Sequence, residues 1–169
     1  AVPLFAIEYL GYKYVVRNPI KSSSNANTGH RDVLVEIADS KRKRIETRIV
    51  RTLLDFINTK DDKLLIDRIK YLTSNFSIVD YKTGIKRISG IYHNYPLLSE
   101  DCLSLKKLDG FLKNAILSKK GKIYSKSYPL ISSKLRRKLL GHSFQEGFYK
   151  QRFVYFSPYR ISEIQRCWK

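Results

Sequence analysis

The chain of 169 residues carries 33 Lys and Arg against 15 Asp and Glu, a formal net charge of +18. Its length and its 43% of hydrophobic residues suit one domain with a core of its own, and no apolar run approaches the roughly 18 residues of a membrane span. The first residues lack the pattern of a secretory signal, and two cysteines are too few for a disulfide scaffold or a cysteine-built zinc site, so we expect a cytoplasmic protein with no membrane partner.

The N-terminal segment has strand character. Residues 4–16 are aromatic and β-branched with a single Gly11, which predicts one strand or two half-strands bent where a missing side chain permits a bulge or close backbone approach. Residues 17–32 are rich in Ser and Asn and predict a loop, and residues 33–37 return to strand character. We therefore expect a β-hairpin over residues 1–38 with a long, mobile connection.

A long helix is predicted next. Asp39 or Ser40 can cap it, and it ends at Asn58–Thr59. Its apolar face repeats at three- and four-residue spacing: Ile45, Ile49, Leu53 and Phe56. About 130° around the helix, at about 100° per residue, lies a second row that we call the basic stripe. The basic stripe consists of Lys41, Arg44, Arg48 and Arg51. A solvated face with local ion pairs is the alternative, but four cations without an acid favour a surface that contacts phosphates.

The middle of the chain predicts a second helix and a turn. The helix begins at Asp61–Asp62 and ends near Ser74, and its short joint to the first helix indicates an antiparallel helix pair. Residues 80–84 predict a turn, whose apolar flanks could form a small hairpin. Residues 89–98 are dense in side chains that stack and form hydrogen bonds. This stretch supplies two candidate contacts to nucleic acid: Tyr92 and His93.

The C-terminal part predicts three more helices. The first spans about residues 102–118, with its leucines inward and its lysines outward. The second is short, begins at Ser132 or Ser133 and stops near Gly141, and a basic loop precedes it. The last begins at Ser157–Pro158, a cap residue followed by proline at the first helical position, and runs to about Trp168. The short helix supplies three more candidate contacts: Arg136, Arg137 and Lys138.

Together these elements predict an α+β fold, mainly α, with a basic helical bundle over residues 39–169. The charge is concentrated at the end, since residues 102–169 carry 16 basic and only three acidic side chains. Such a density of positive charge in an aromatic-rich protein indicates a polyanionic partner, and nucleic acid is the commonest one.

No convincing active site is apparent. His30, His93 and His142 lie far apart in the sequence and no catalytic motif accompanies them. Asp61–Asp62 could in principle hold magnesium, but acids at the start of a helix are explained by capping and by the helix dipole. We therefore predict no metal and no cofactor in this chain.

The chain contains no methionine, not even at position 1, and it opens directly in a strand-like segment. An N-terminal strand usually needs a sheet to join. These features favour a piece of a longer protein over the alternative, which is the trimming of an initiator alone.

Several blocks resemble bacterial reverse transcriptases, in particular the defence-associated enzymes near the retron branch. Tyr9-Leu10-Gly11-Tyr12 resembles the Phe-Leu-Gly-Phe/Tyr segment of the hairpin that follows the catalytic strands in that family, often called the primer grip. A basic helical region follows, at the position of the family's thumb. The later blocks with the character of the family are Arg68–Phe76, Ser89–Pro96 and Ser162–Trp168.

The resemblance implies that residues 1–38 complete a polymerase palm and that residues 39–169 form a thumb that holds RNA and an RNA/DNA primer–template duplex. It implies that Tyr9–Tyr12 approach the primer end, and that the fingers and palm of the parent chain are partners. The family's chemistry needs Mg²⁺ held by aspartates of a Tyr-Xaa-Asp-Asp motif, which this chain lacks. The segment is therefore expected to be inactive alone.

Three other interpretations stay open. The first is a free-standing basic RNA- or DNA-binding module without catalysis. The second is a small nuclease that uses His93 with Tyr92 or nearby lysines. The third is a protein-interaction domain whose charge only keeps it soluble.

Overall fold

Residues 3–17 and 31–169 are described by a computed structural model, with side chains from Phe5 onward. The strands within these ranges are β1 (Pro3–Tyr9), β2 (Tyr12–Arg17), β3 (Asp32–Ile37), β4 (Asn75–Val79) and β5 (Lys86–Gly90). The helices are α1 (Asp39–Thr59), α2 (Asp62–Thr73), α3 (Ile91–Asn94), α4 (Ser104–Leu117), α5 (Tyr124–Ser127), α6 (Ser133–Leu140), α7 (Phe144–Tyr149) and α8 (Pro158–Gln165). The predicted α+β class, with an N-terminal β-hairpin followed by a helical bundle, is confirmed.

The first sheet has three antiparallel strands in the order β1-β2-β3, where the sequence predicted a single hairpin. The extra pairing arises because β1 and β2 are joined by a two-residue turn, with Tyr9 directly opposite Tyr12. Leu10 has a φ of 50° and Gly11 a φ of 83°. Positive φ at both central residues is the signature of a type I′ turn, whose twist matches that of the strands. Residues 18–30 of the predicted long connection lie outside the described residues.

A buried carboxylate joins this sheet to the helices. Glu36 on β3 accepts hydrogen bonds from the backbone N–H groups of Leu103 (2.7 Å) and Ser104 (2.8 Å), and also from the Ser104 hydroxyl. The Ser104 Oγ in turn accepts from Ile37 N at 2.9 Å. Tyr12 and Ile37 are buried in the same apolar cluster as the helices, so the sheet and the bundle share one core.

The apolar face of α1 is buried as predicted at Ile49, Leu53 and Phe56. The predicted cap is wrong, because Ala38 holds the cap position and has no side-chain oxygen. Glu8 of β1 supplies the missing acceptor instead, since its Oε1 accepts from Asp39 N at 3.2 Å.

Helix α2 is joined by side-chain contacts to α1 and to α8. Asp61 caps it, because its side chain accepts from Leu64 N at 3.1 Å, as the sequence suggested. The buried Arg68 guanidinium donates to the carbonyl oxygens of Ile164 (3.0 Å) and Glu163 (3.1 Å) and pairs with Asp55. One side chain thereby holds α1, α2 and α8 together.

The C-terminal helices follow the predicted caps and add two short helices, α5 and α7. Ser132 accepts from Leu135 N and Ser157 from Arg160 N, each at 3.1 Å, so both predicted cap sites are confirmed. Helix α7 was not predicted, and Asp109 of α4 binds its start by accepting from Phe144 N at 2.6 Å. The terminal helix is shorter than predicted, since α8 ends at Gln165 and a 3₁₀ turn covers Arg166–Trp168.

A second sheet consists of the predicted small hairpin, with β4 and β5 antiparallel around the turn at residues 80–84. Buried Asn75 fixes its base: Nδ2 donates to the carbonyl oxygens of Gly147 (3.1 Å) and Arg152 (2.9 Å), and Oδ1 accepts from Tyr92 N (2.9 Å). Across the described part of the chain, no helix is both long and apolar enough to cross a membrane.

Candidate nucleic-acid interface

A cleft of about 530 Å³ opens where three sequence regions meet. One side is the β1–β2 turn, with Leu10 and Gly11. A second side is the N-terminal half of α1, and the third is the stretch from Ser89 to Tyr95, which includes the end of β5 and α3. Its remaining lining includes apolar and aromatic side chains: Ile45, Tyr71, Leu72, Phe76 and Ile91. The predicted bend at Gly11, most of the basic stripe and the segment rich in hydrogen-bonding groups therefore share one site.

Three of the four stripe cations line this cleft: Lys41, Arg44 and Arg48. Lys41 and Arg44 are exposed, and Arg48 is half-buried. Across the described residues, none of the three forms an ion pair with a carboxylate, whereas neighbouring Arg42 pairs with Glu46 at 2.6 Å. The cleft thus concentrates positive charge that no acid among residues 3–17 and 31–169 neutralises.

The deepest cation, Arg48, is held in place by the C terminus. Its guanidinium lies 5.3 Å from the ring centroid of Trp168, and the Trp168 indole N–H donates to the Arg48 carbonyl oxygen at 3.0 Å. Burial, followed by the nearby positive charge of Arg44, lowers the pKa of Arg48. Two close guanidinium groups without a carboxylate raise each other's energy, and a bound phosphate would relieve this repulsion.

The fourth stripe residue, Arg51, does not line the cleft. Its Nη1 donates to the carbonyl oxygen of Trp168 at 3.1 Å, so it fastens the C-terminal turn to α1. The sequence could not predict this contact, because the two residues are 117 positions apart.

The side of the cleft formed by Ser89–Tyr95 offers neutral hydrogen-bonding groups. Ser89 Oγ donates to Asn94 Oδ1 at 3.1 Å, which leaves the Asn94 amide N–H₂ available to a ligand. Tyr95 packs edge-on against Tyr12 at 6.0 Å between ring centroids. Burial raises the pKa of Tyr95 and the charge of Arg44 opposes this, so its hydroxyl stays protonated near neutral pH.

The two tyrosines of the turn have different roles. Tyr9 is exposed beside Leu10, whereas Tyr12 is buried and its hydroxyl accepts from Leu97 N at 3.3 Å. The sequence suggested Tyr12 as a contact to nucleic acid. The structure instead makes it a core residue that supports the turn and Tyr95.

The other predicted contacts lie away from the cleft lining. Tyr92 is half-buried and packs edge-on against Phe148 at 5.3 Å between centroids, and His93 is exposed. Asn94 and Tyr95, the two residues after them, face the cleft instead. The sequence had marked this stretch for its composition but could not tell which of its side chains point inward.

The basic residues of α6 form no part of the cleft. The Arg136 guanidinium carbon lies 4.0 Å from the ring centroid of Tyr128, and Nη2 donates to the carbonyl oxygens of Tyr128 (2.9 Å) and Ile131 (3.0 Å). Arg136 therefore uses its Nη2 to stabilise the preceding turn, a role that the sequence did not predict, and its contact with phosphates stays a prediction. Arg137 and Lys138 are exposed.

The carboxylates do not assemble into a metal site in residues 3–17 and 31–169, where no three His, Cys, Asp or Glu side chains converge. Asp61 is engaged as a helix cap and Asp109 as the acceptor for α7. Comparison with protein-family models, curated proteins and solved structures found no match for the chain.

Proposed function

We propose that the chain is the nucleic-acid-gripping C-terminal portion of an RNA-directed DNA polymerase of the bacterial reverse transcriptase kind. The cleft would hold the end of the primer, and the exposed face of α1 would contact the RNA/DNA duplex. The observation that carries this proposal is the cleft itself, in which unpaired Lys41, Arg44 and Arg48 lie beside a tight exposed turn.

The turn is fixed to α1, as a primer-positioning element requires. The Ala38 backbone N–H donates to the Gly11 carbonyl oxygen at 2.9 Å, and Lys13 pairs with Asp39 at 3.2 Å. Polymerase chemistry depends on holding the reacting end within a fraction of an ångström, because misplacement lowers the rate steeply. Leu10 and Tyr9 would contact the terminal nucleotide, while the cations bind its phosphates.

The sliding duplex calls for a different kind of contact. Exposed cations on a helix neutralise phosphates without reading sequence, so the duplex can move by one step after each addition. Lys41 and Arg44 have this character, since both are exposed and neither forms an ion pair with a described carboxylate.

The catalytic metal belongs elsewhere in this proposal. Mg²⁺ would supply charge stabilisation during nucleotide transfer, but the described carboxylates do not converge and several are engaged in caps and ion pairs. The aspartates that hold it would lie in the fingers and palm of the parent chain. The exposed apolar side chains of edge strand β1, among them Phe5 and Ile7, suit packing against such a palm. The expected setting is antiviral defence in the bacterial cytoplasm.

Photocrosslinking tests the proposal. A primer whose 3′-terminal base is 4-thiothymidine is annealed to an RNA template, bound to the chain and irradiated, and crosslinked peptides are identified by mass spectrometry. We expect crosslinks within residues 9–12, 41–48 and 89–95. A second primer carries the same base ten nucleotides upstream as the matched control.

The outcome separates the proposal from its main alternative. If the cleft holds the primer end, the 3′-terminal label crosslinks to these three segments, and the label ten nucleotides upstream crosslinks to other residues. A free-standing binding module has no preference for the primer end, so equal crosslinking from both positions would contradict the proposal.

A further inference from the structure

A second surface of the molecule has the character of a nucleic-acid contact. On one face of the β4–β5 sheet the strand register places Ser77 opposite Ile88 and Val79 opposite Lys86. Phe153 continues this face, because it forms a parallel bridge with Asn75 at the base of β4. Ile88 and Val79 are exposed, so this face is not covered by the bundle.

Exposed aromatic side chains lie in the segments at the two ends of this hairpin. Tyr81 in the turn of the hairpin is 75% exposed, Tyr155 is 83% exposed and Phe153 is 53% exposed. We call these three residues, with Lys82, Lys86 and Ile88, the hairpin patch. Single apolar side chains on a surface need no explanation, but several exposed rings around one small sheet indicate a binding surface.

The charge of the hairpin indicates what kind of ligand the patch binds. Lys82 and Lys86 are exposed, and neither forms an ion pair with a carboxylate among residues 3–17 and 31–169. The one acid of the turn, Asp80, is engaged locally, because its side chain accepts from Lys82 N at 2.9 Å. Rings that can stack on bases and unpaired cations that can bind phosphates are the two components of single-strand binding sites.

The patch is separate from the cleft. Phe76 and Ser89, which pair with each other, line the cleft, and along β5 Ser89 alternates with Lys86 and Ile88 of the patch. The strand residues of the patch therefore lie on the face of the hairpin opposite the cleft.

We propose that the hairpin patch binds a single-stranded segment of nucleic acid, such as the template outside the duplex. This rests on the proposed nucleic-acid-gripping function, and adds to it a stacking site for unpaired bases. Bases stack on Tyr81, Phe153 and Tyr155, and Lys82 and Lys86 bind the phosphates between them. A duplex keeps its bases stacked on one another, so it gains little from these rings.

Two labelled probes test the inference by fluorescence anisotropy: a single-stranded 12-nucleotide RNA and a blunt 12-base-pair RNA/DNA duplex. The main variant is Tyr81→Ala/Tyr155→Ala. We expect its Kd for the single strand to rise about tenfold or more, because two base–aromatic stacks are lost. Its duplex affinity should stay unchanged. Both rings are exposed, so the fold should be unaffected, which circular dichroism checks.

Two further variants complete the test. Lys82→Gln/Lys86→Gln should weaken single-strand binding in low salt and reduce its salt dependence. Tyr149→Ala is the matched control, because this exposed tyrosine is not part of the hairpin patch and its hydroxyl donates to the Glu100 carbonyl oxygen. It should bind the single strand like the parent chain.

The results distinguish this inference from the proposed function. Unchanged single-strand binding by both patch variants would overturn the inference. This is also the result expected if the patch binds a protein partner and not nucleic acid. A loss of single-strand binding by the patch variants, without effect from Tyr149→Ala, supports the inference. The proposed function fails separately, if substitutions in the cleft leave duplex binding unchanged.

Discussion

Removing two exposed cations of the cleft tests its role in phosphate binding. In Lys41→Gln/Arg44→Gln both replaced side chains are exposed and neither forms an ion pair with a described residue, so the fold loses no contact of this kind. Gln is nearly as good a helix former as Lys and Arg, so α1 should persist. Arg48 is left intact because its guanidinium packs on Trp168, and its loss would also disturb the C-terminal turn.

The expected effect is measured as the salt dependence of duplex binding. Each neutralised phosphate contributes about 0.9 to the slope of log affinity against log salt, so the loss of two contacts should flatten that slope by about 1.8 units. The ratio of the duplex affinity of the parent chain to that of the variant should therefore fall about tenfold between 50 and 200 mM salt. Anisotropy titrations with a labelled RNA/DNA duplex at four salt concentrations measure both quantities.

A variant with the same change in net charge is the control. Lys106→Gln/Lys113→Gln removes two exposed cations from α4, which does not line the cleft. If this variant flattens the slope as much as Lys41→Gln/Arg44→Gln, binding depends on net charge and the cleft has no special role. An unchanged slope for the cleft variant would equally refute the reasoning.

Three other predictions concern stability and activity. In Gly147→Ala the new Cβ would lie 1.6 Å from the Thr73 carbonyl oxygen, so the free energy of unfolding measured in urea should fall by about 3 kcal/mol or more. In Gly110→Ala the new Cβ would meet no neighbouring segment within 4 Å, so the free energy of unfolding should rise by roughly 0.5–1 kcal/mol. Burial, and after it the charge of Arg152, lowers the pKa of His142 in the folded chain. The unfolded chain therefore binds more protons, and stability should fall as the pH drops below about 6.5. His142→Gln should remove this contribution from thermal melts measured at different pH values. The chain alone should not extend a primer with deoxynucleotides and magnesium, and template-directed extension would contradict the proposed division of roles.

Local patterns in the sequence were enough to locate most elements. The spacing of Ile49, Leu53 and Phe56 predicted the buried face of α1, and hydroxyl residues before Leu135 and Arg160 predicted two helix starts. Helix α7 was missed because it has only six residues, too few for a periodic signal, and because one of the acceptors at its start comes from α4. The sequence left open whether residues 4–16 form one strand or two half-strands bent at Gly11, because the two-residue turn interrupts the strand pattern only at Leu10–Gly11.

The fold class, the excess of positive charge and the helix face that carries the basic stripe could all be predicted, because they depend on composition and on spacing within a few residues. Which cations are free could not be predicted, because it depends on how the chain packs. Arg51 and Arg136 look the same as Arg44 in the sequence, but each donates to backbone carbonyl oxygens, while Arg44 remains exposed in the cleft. A cationic side chain donates to acceptors that the fold places near it. Which cations stay free therefore depends on the packing of segments that are distant in the sequence.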